Sequence, residues 1–344
     1  ALRDGDLDYV VSQGISQQEQ GADILDVNVG LPEIDEVKII QQATEQLQGS
    51  TLLPLQIDST NADAIEAGVR AYAGKPIINS VNGKQEALDA VLPIAAHYGC
   101  NVIGLTLDED GIPATASERV AIARRIIDEA ARYGIGRERI LIDCLVMTAS
   151  TNQAQVTEIL RAVTLCRQEL GVHCTLGVSN VSFGLPAREL LNATFLAAAF
   201  GAGLDAPIMN PGSQRYMDAV HSYRVLNAED LGSVRFIERY AGWNDPYKVP
   251  VNVASTPTVP SSTAPATSPN TAPSPASATS AQGNGELHHL VLSGRKADVP
   301  ALVRDLLAAH DAMDVIDRML IPALDEVGDK FDRGEFFLPQ LMAS

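Results

Sequence analysis

PLQIDSTNADAIEAGVRAYAGKPIINSV (Pro54–Val81) holds the fold in miniature. Its two ends, Pro54–Ser59 and Pro76–Val81, are short apolar runs with strand character, and Asn61–Tyr72 between them has amphipathic helical periodicity. Two strands joined by a helical crossover imply a parallel pair. The unit recurs along the chain. Further strand-like runs stand at Ile24–Gly30, Asn101–Asp108, Ile140–Val146, Cys174–Asn180 and Ala206–Pro211, with helical stretches such as Lys84–Tyr98, Ser117–Tyr133 and Asn152–Leu170 between them. That makes seven strands, preceded by a helical pattern over about Leu2–Gln20. A closed parallel barrel takes eight βα units. The expected fold is therefore α/β, a (β/α)8 TIM-type barrel lacking its first strand, which would lie upstream of Ala1. An open doubly wound sheet competes, but it would want a glycine-rich phosphate loop after its first strand, and neither GxGxxG nor a P-loop is present.

Beyond this region the composition changes. Val251–Gly285 carries no charged residue and consists mainly of Pro, Ser, Thr and Ala. Such a segment cannot bury enough apolar surface to offset its ordering entropy. The expected organisation is a barrel over 1–243, a flexible linker over 244–285, and a helical region over 286–344, a partial all-α bundle with breaks near Gly294, Pro322 and Gly334. A linker of this kind is a passive spacer or lets one module travel relative to another.

The 344 residues are 46% apolar and carry a formal charge of −18. That balance argues against nucleic acid as the main partner, because phosphate binding needs clustered Lys and Arg. The longest apolar stretch, around Ala193–Gly203, is far short of the roughly 18 residues of a membrane span. With no signal-peptide pattern at Ala1, a cytoplasmic location is the expectation. Cys100, Cys144, Cys166 and Cys174 are scattered without a CxxC pair, so they read as buried thiols and no metal site is expected.

Function is signalled by where polarity sits. Strand after strand ends in a carboxylate or amide: Asp26 and Asn28, Asp58, Asn79, Asp108, Asp143 and Asn180. A strand buried on both faces should be apolar, and in a β/α barrel those ends converge on the face that holds active sites. Any one of them could instead cap a helix, as Asp58–Asn61 illustrates. The set is rich in Asp and Asn and poor in cations, unlike a phosphate or metal site. It suits a neutral heterocycle with several N–H donors, such as the amino-pyrimidinone edge of a pterin, though a purine or sugar would also fit.

At these residues the chain resembles the pterin-binding family, which includes dihydropteroate synthase, folate:corrinoid methyltransferases and the folate module of cobalamin-dependent methionine synthases. ILDVNVGLPEIDE (Ile24–Glu36), LPLQIDST (Leu53–Thr60), KPIINSVNGK (Lys75–Lys84), GLTLDEDGIP (Gly104–Pro113), LGVSNVSFGLP (Leu176–Pro186) and IMNP (Ile208–Pro211) carry the likeness, which is strongest to the methionine synthase module. The resemblance implies that Asp58, Asn79 and Asp143 hydrogen-bond the pterin ring. It implies that Gly177, Ser179 and Asn180 form the loop beside the methyl-bearing nitrogen, with Asn180 reaching that nitrogen. Arg188 matches an arginine near the folate, and Asp26, Asn28 and Asp108 would complete the pocket. VGDKFDRGEFFLPQLMAS (Val327–Ser344) resembles the helical cap that precedes a cobalamin-binding domain, in which Phe331 and Leu338 would shield the cofactor.

The implied activity is methyl transfer from 5-methyltetrahydrofolate to cobalamin. A tertiary amine leaves only if its nitrogen gains positive character, and no ordinary side chain is nucleophilic enough to take its methyl group, so a cofactor is required. The resemblance also implies partners outside these residues, namely a cobalamin-binding domain with a DxHxxG motif and a homocysteine-binding module, making the sequence a fragment of a longer product. A stand-alone methyltetrahydrofolate:corrinoid protein methyltransferase and a non-catalytic docking module are the alternatives.

Overall fold

The computed structural model describes residues 6–32, 34–243 and 281–333. The chain divides into two compact units, Ala1–Glu229 and Asp230–Ser344.

The first unit is one parallel sheet whose seven strands lie in chain order: β1 (Leu25–Asn28), β2 (Leu55–Asp58), β3 (Ile77–Asn82), β4 (Asn101–Leu105), β5 (Ile140–Asp143), β6 (His173–Gly177) and β7 (Ala206–Ile208). Among the described residues, eight α-helices surround it: α1 (Leu7–Glu19), α2 (Glu36–Ser50), α3 (Ala62–Ala71), α4 (Gln85–Tyr98), α5 (Ala116–Arg132), α6 (Ala149–Leu165), α7 (Arg188–Ala202) and α8 (Gln214–Leu226). Neighbouring strands pair in sequence order because each is followed by a helix that returns the chain over the sheet. The sheet is a nearly closed TIM-type barrel, as the strand count predicts.

Local sequence explains the helix limits. Asp35 accepts the Lys38 N–H at 3.1 Å to start α2, and Thr115 with Glu118 forms a reciprocal capping box on α5. Asp6 accepts the Tyr9 N–H at 3.2 Å and caps α1 at Leu7; the first residues of the expected helix, 2–5, lie outside the described residues. Asn61 caps α3 through the Asp63 N–H at 3.0 Å, which leaves the neighbouring Asp58 uncommitted to helix capping. Gly99 and Gly203 end α4 and α7 in the left-handed conformation, φ 72° and 105°, where a side chain is unfavourable.

The core lies between sheet and helices and includes Leu25, Ile40, Leu55, Ile57, Ile65, Ile78, Leu92, Ile126 and Leu196. All four cysteines are buried free thiols. Between the edges of β1 and β7 lies a cavity of about 500 Å³, lined by Ile24, Ala206, Met209, Met217 and Tyr223 among others. Arg224 Nη2 bridges this seam to Asp23 Oδ2 at 3.0 Å. None of the expected site residues lines it.

The second unit contains α9 (Val234–Tyr240), α10 (Ala281–Leu292), α11 (Val299–Leu307), α12 (Ala312–Val315) and α13 (Ile321–Asp332), with a π-turn over Ile316–Leu320. Leu287, Val291, Leu306, Val315, Met319, Ala323 and Val327 form its apolar core. Most of the expected linker, 244–280, lies outside the described residues. Its last residues are helical instead, since α10 starts at Ala281; packing of Leu287 and Val291 sustains a helix whose composition alone would not. Among the described residues, no helix is long and apolar enough to cross a membrane.

Candidate functional site

The register aligns three of the expected residues in one row. Asn28 pairs with Asp58, and Asp58 with Asn79; Asn28 and Asp58 end β1 and β2, and Asn79 lies midway along β3. Asp143 ends β5, and Gly177 ends β6. A register shift between Asn79 and Val81 marks a bulge in β3, a device that re-aims side chains near sites.

The row is tied by side-chain hydrogen bonds. Asn28 Nδ2 donates to Asp58 Oδ2 at 2.8 Å, and Gln56 Nε2 donates to Asp26 Oδ1 at 2.6 Å. Asn79 lies near Asp26 and favours its charged form. Ser59 Oγ donates to Glu36 Oε1 at 2.6 Å, setting a third acid beside Asp58. Crowded carboxylates resist ionisation. Enclosure in the barrel, with the nearby charge of Asp58, pushes Asp26 up to about 6, although water still reaches it from one side. Asp58 is raised as well, by burial and then by Glu36, while the Asn28 amide opposes the shift.

Asp143 is built differently. It is 8% exposed, and burial pushes its carboxyl up to about 6 against the pull of the Leu145 N–H and Arg119. The Leu145 N–H donates to its Oδ1 at 2.7 Å across a bend where Leu145 has φ 57°, an uncommon conformation for a branched residue. Arg119 holds the bend from behind. Its guanidinium is fully buried and donates to the carbonyls of Cys144 and Leu145, the latter at 2.9 Å, and to Gln155 Oε1 at 3.1 Å.

Asn180 stands in a short 3-10 turn, Val178–Ser182, directly after β6, where a continuing strand was expected. Its exposed amide lies beside Gly177; a Cβ there would come within 3.2 Å of Asn180 Nδ2, so a side chain at 177 would press on the amide. Ser179 is exposed on the same turn. Arg188, the first residue of α7, grips this loop: Nε donates to Ser182 Oγ at 3.1 Å and Nη2 to the Ser179 carbonyl at 3.0 Å.

The strand expected to run through Asp108 ends earlier. β4 ends at Leu105, and Asp108 Oδ1 accepts the Asp110 N–H at 3.0 Å in a turn that closes on Gly111. Glycine at φ 98° permits that turn, which uses the Asp108 carboxylate locally. In the second unit Phe331 is 38% exposed near the end of α13, and Leu338 lies outside the described residues. Leu324, seven residues before Phe331, is also exposed while Ala323 and Val327 are buried, so one face of α13 presents uncovered apolar side chains. An apolar macrocycle face suits such a strip.

Gln56, Glu36 and Arg119 were not expected. Gln56 had a signal, because it shares a strand face with Asp58 at period two. Glu36 reads as an ordinary first-turn acid until Ser59 is seen to contact it.

Residues 1–210 match the pterin binding enzyme family, and residues 285–344 match the B12 binding domain family. A methylcorrinoid:tetrahydrofolate methyltransferase from Eubacterium limosum is 31% identical over 246 residues, covering 70% of this chain and 89% of that protein. The methionine synthase of Mycobacterium tuberculosis (strain ATCC 25618 / H37Rv) is 29% identical over 341 residues, 95% of this chain but 28% of the relative. Among solved structures, dihydropteroate synthase from Xanthomonas albilineans in complex with 7,8-dihydropteroate superimposes with a TM-score of 0.52 at 23% identity, covering 64% of this chain and 86% of that one. A Yersinia pestis structure of the same enzyme gives 0.54 at 16%, covering 65% and 90%; these likenesses concern the fold. With more than half its length matched, and with strand-end acids and amides ringing the barrel rim, this chain belongs to the pterin binding enzyme family.

Proposed function

We propose that the chain is a methyltransferase that takes the methyl group of 5-methyltetrahydrofolate and delivers it to cob(I)alamin. The observation that carries this reading is the polar row on one barrel face, with Asp26–Gln56 and Asn28–Asp58 joined by side-chain hydrogen bonds and Asn79 in register beside Asp58, where Asp143 ends β5 and Asn180 follows β6. The relatives' names and the B12 binding match at 285–344 support the choice of methyl donor and cofactor.

In this mechanism Asp58 and Asp143 accept the N–H groups of the amino-pyrimidinone ring, and Asn79 adds a further polar contact. Asn28 holds the Asp58 carboxylate and the Leu145 N–H holds that of Asp143 before substrate arrives, so little reorganisation is needed. The Asn180 amide, beside Gly177, hydrogen-bonds N5 as that nitrogen gains positive character. Cobalamin, when bound, supplies the nucleophile; Phe331 and Leu338 would cover it. Arg188 keeps the Asn180 turn in register through Ser179 and Ser182.

Within the family we favour the folate half-reaction of methionine synthesis, with homocysteine as final acceptor through a further module, because the B12 binding match is covalently attached here. A stand-alone reaction on a separate corrinoid protein is the second reading, favoured by the 89% coverage of the Eubacterium limosum relative. Cytoplasmic function belongs to either.

Replacing Asn180 with Ala tests the assignment. Transfer from 5-methyltetrahydrofolate to added cob(I)alamin should fall by about 100-fold, as for loss of one transition-state donor, with a smaller loss of folate affinity. Equal rates in variant and parent would remove Asn180 from the mechanism.

A further inference from the structure

The loop after β6 carries an aromatic ring that the fold leaves uncovered. Phe183 is 61% exposed. Single exposed rings are ordinary on protein surfaces, so its surroundings decide what it signifies. Its backbone is held at both ends: Thr148 Oγ1 donates to the Phe183 carbonyl at 2.7 Å, and the Phe183 N–H donates to the Asn180 carbonyl at 3.3 Å. The Arg188 guanidinium, anchored to Ser179 and Ser182 of the same loop, sits 5.9 Å from the ring centroid, within range of a cation–π contact. The result is an apolar ring on an anchored stretch of backbone, open to solvent, three residues from Asn180.

The bonding of the substrate says what leaves the site at that point. In a tetrahydrofolate the methyl-bearing N5 is bonded to C6, and C6 carries the methylene that leads to the aminobenzoyl ring and its glutamate. If the amino-pyrimidinone edge lies on Asp58 and Asp143 and N5 faces Asn180, the tail starts one atom away from the nitrogen that Asn180 contacts. It must therefore pass the Asn180 loop as it leaves the barrel. Resting on the folate reading above, the geometry points to Phe183 as the platform on which the aminobenzoyl ring of the folate tail packs, making it a determinant of specificity for folates over simple pterins. One face of the ring is engaged by Arg188, and the exposed side offers the stacking surface. The same guanidinium gives the tail's carboxylates a cation in a chain that is otherwise strongly acidic.

The test compares two ligands on the full chain: 5-methyltetrahydrofolate, and a 5-methylated tetrahydropterin with a methyl group in place of the aminobenzoylglutamate tail. Phe183→Ala is expected to weaken folate binding roughly tenfold, the scale of one aromatic packing contact, with affinity for the truncated pterin unchanged. Phe183→Tyr should bind both as the parent does. Unaltered folate affinity in Phe183→Ala, or an equal loss for both ligands, overturns the platform. Phe183→Leu keeps most of the bulk without the π face and gives the same comparison should the alanine variant melt below the assay temperature. A parent chain that binds neither ligand would instead bring down the folate reading itself. A parent that binds the truncated pterin and a variant with unaltered folate affinity would bring down only the platform.

Discussion

Asp143 shows how a single residue is set for its task. Its carboxyl rises from the ordinary 3.8 to about 6 because burial disfavours the charge, and Asp26 reaches a similar value. Between roughly pH 4 and pH 6 the folded chain therefore holds protons that the unfolded chain releases. Stability from this source is full below about pH 4 and is lost as pH rises through about 6. Asp143→Asn should flatten that part of the stability–pH curve and raise stability at pH 7 by on the order of 2 kcal/mol, measured by denaturant unfolding across pH. An unaltered slope would show that Asp143 does not titrate there. Substrate binding should run the opposite way, because N–H donors favour the charged carboxylates: folate affinity is expected to weaken as pH falls below about 6. Calorimetry near pH 6, in buffers of differing ionisation enthalpy, should record proton release on binding. Proton uptake would contradict the assigned acceptor role.

At the scale of elements, most of the barrel was legible. Short apolar runs and intervening amphipathic stretches located seven strands, and the Asp and Asn pattern towards the strand ends located the rim. What sequence periodicity blurred were the strand ends. Asp108 and Asn180 read as strand residues, yet Gly111 turns the chain after one and a 3-10 turn carries the other. Arg119 shows a different kind of miss. An arginine in a helix reads as a solvated charge, but in the first turn of α5 it falls in the buried stripe of Ala116, Val120, Ala123 and Ile127, and that spacing was a usable signal. Only the fold, which brings the Cys144–Leu145 bend against it, explains why a cation sits there. Arg119→Met keeps the volume and removes both carbonyl contacts, so it should cost about 3 kcal/mol in stability and loosen folate binding through the Asp143 bend. Thr115→Ala, which removes only the α5 capping box, should cost about 1 kcal/mol and leave binding unchanged. If the two variants affected binding alike, the Asp143 bend would not be the route by which Arg119 acts.

Across the whole molecule, the chain joins a pterin-family barrel to a B12-binding match through a segment rich in Pro, Ser, Thr and Ala. If that segment serves delivery, removing half of it should slow methyl transfer within a cobalamin-loaded full-length protein and leave folate affinity untouched. Unchanged transfer would make it a passive spacer. The separate apolar cores of the two units are consistent with such a division of labour. The most direct test of the whole reading is calorimetric titration of the chain with 5-methyltetrahydrofolate, in the parent and in Asp58→Ala. The parent should bind one equivalent saturably, and the variant at least tenfold more weakly. No binding heat in the parent, or equal affinity in the two, would contradict the assignment of this barrel rim to a pterin.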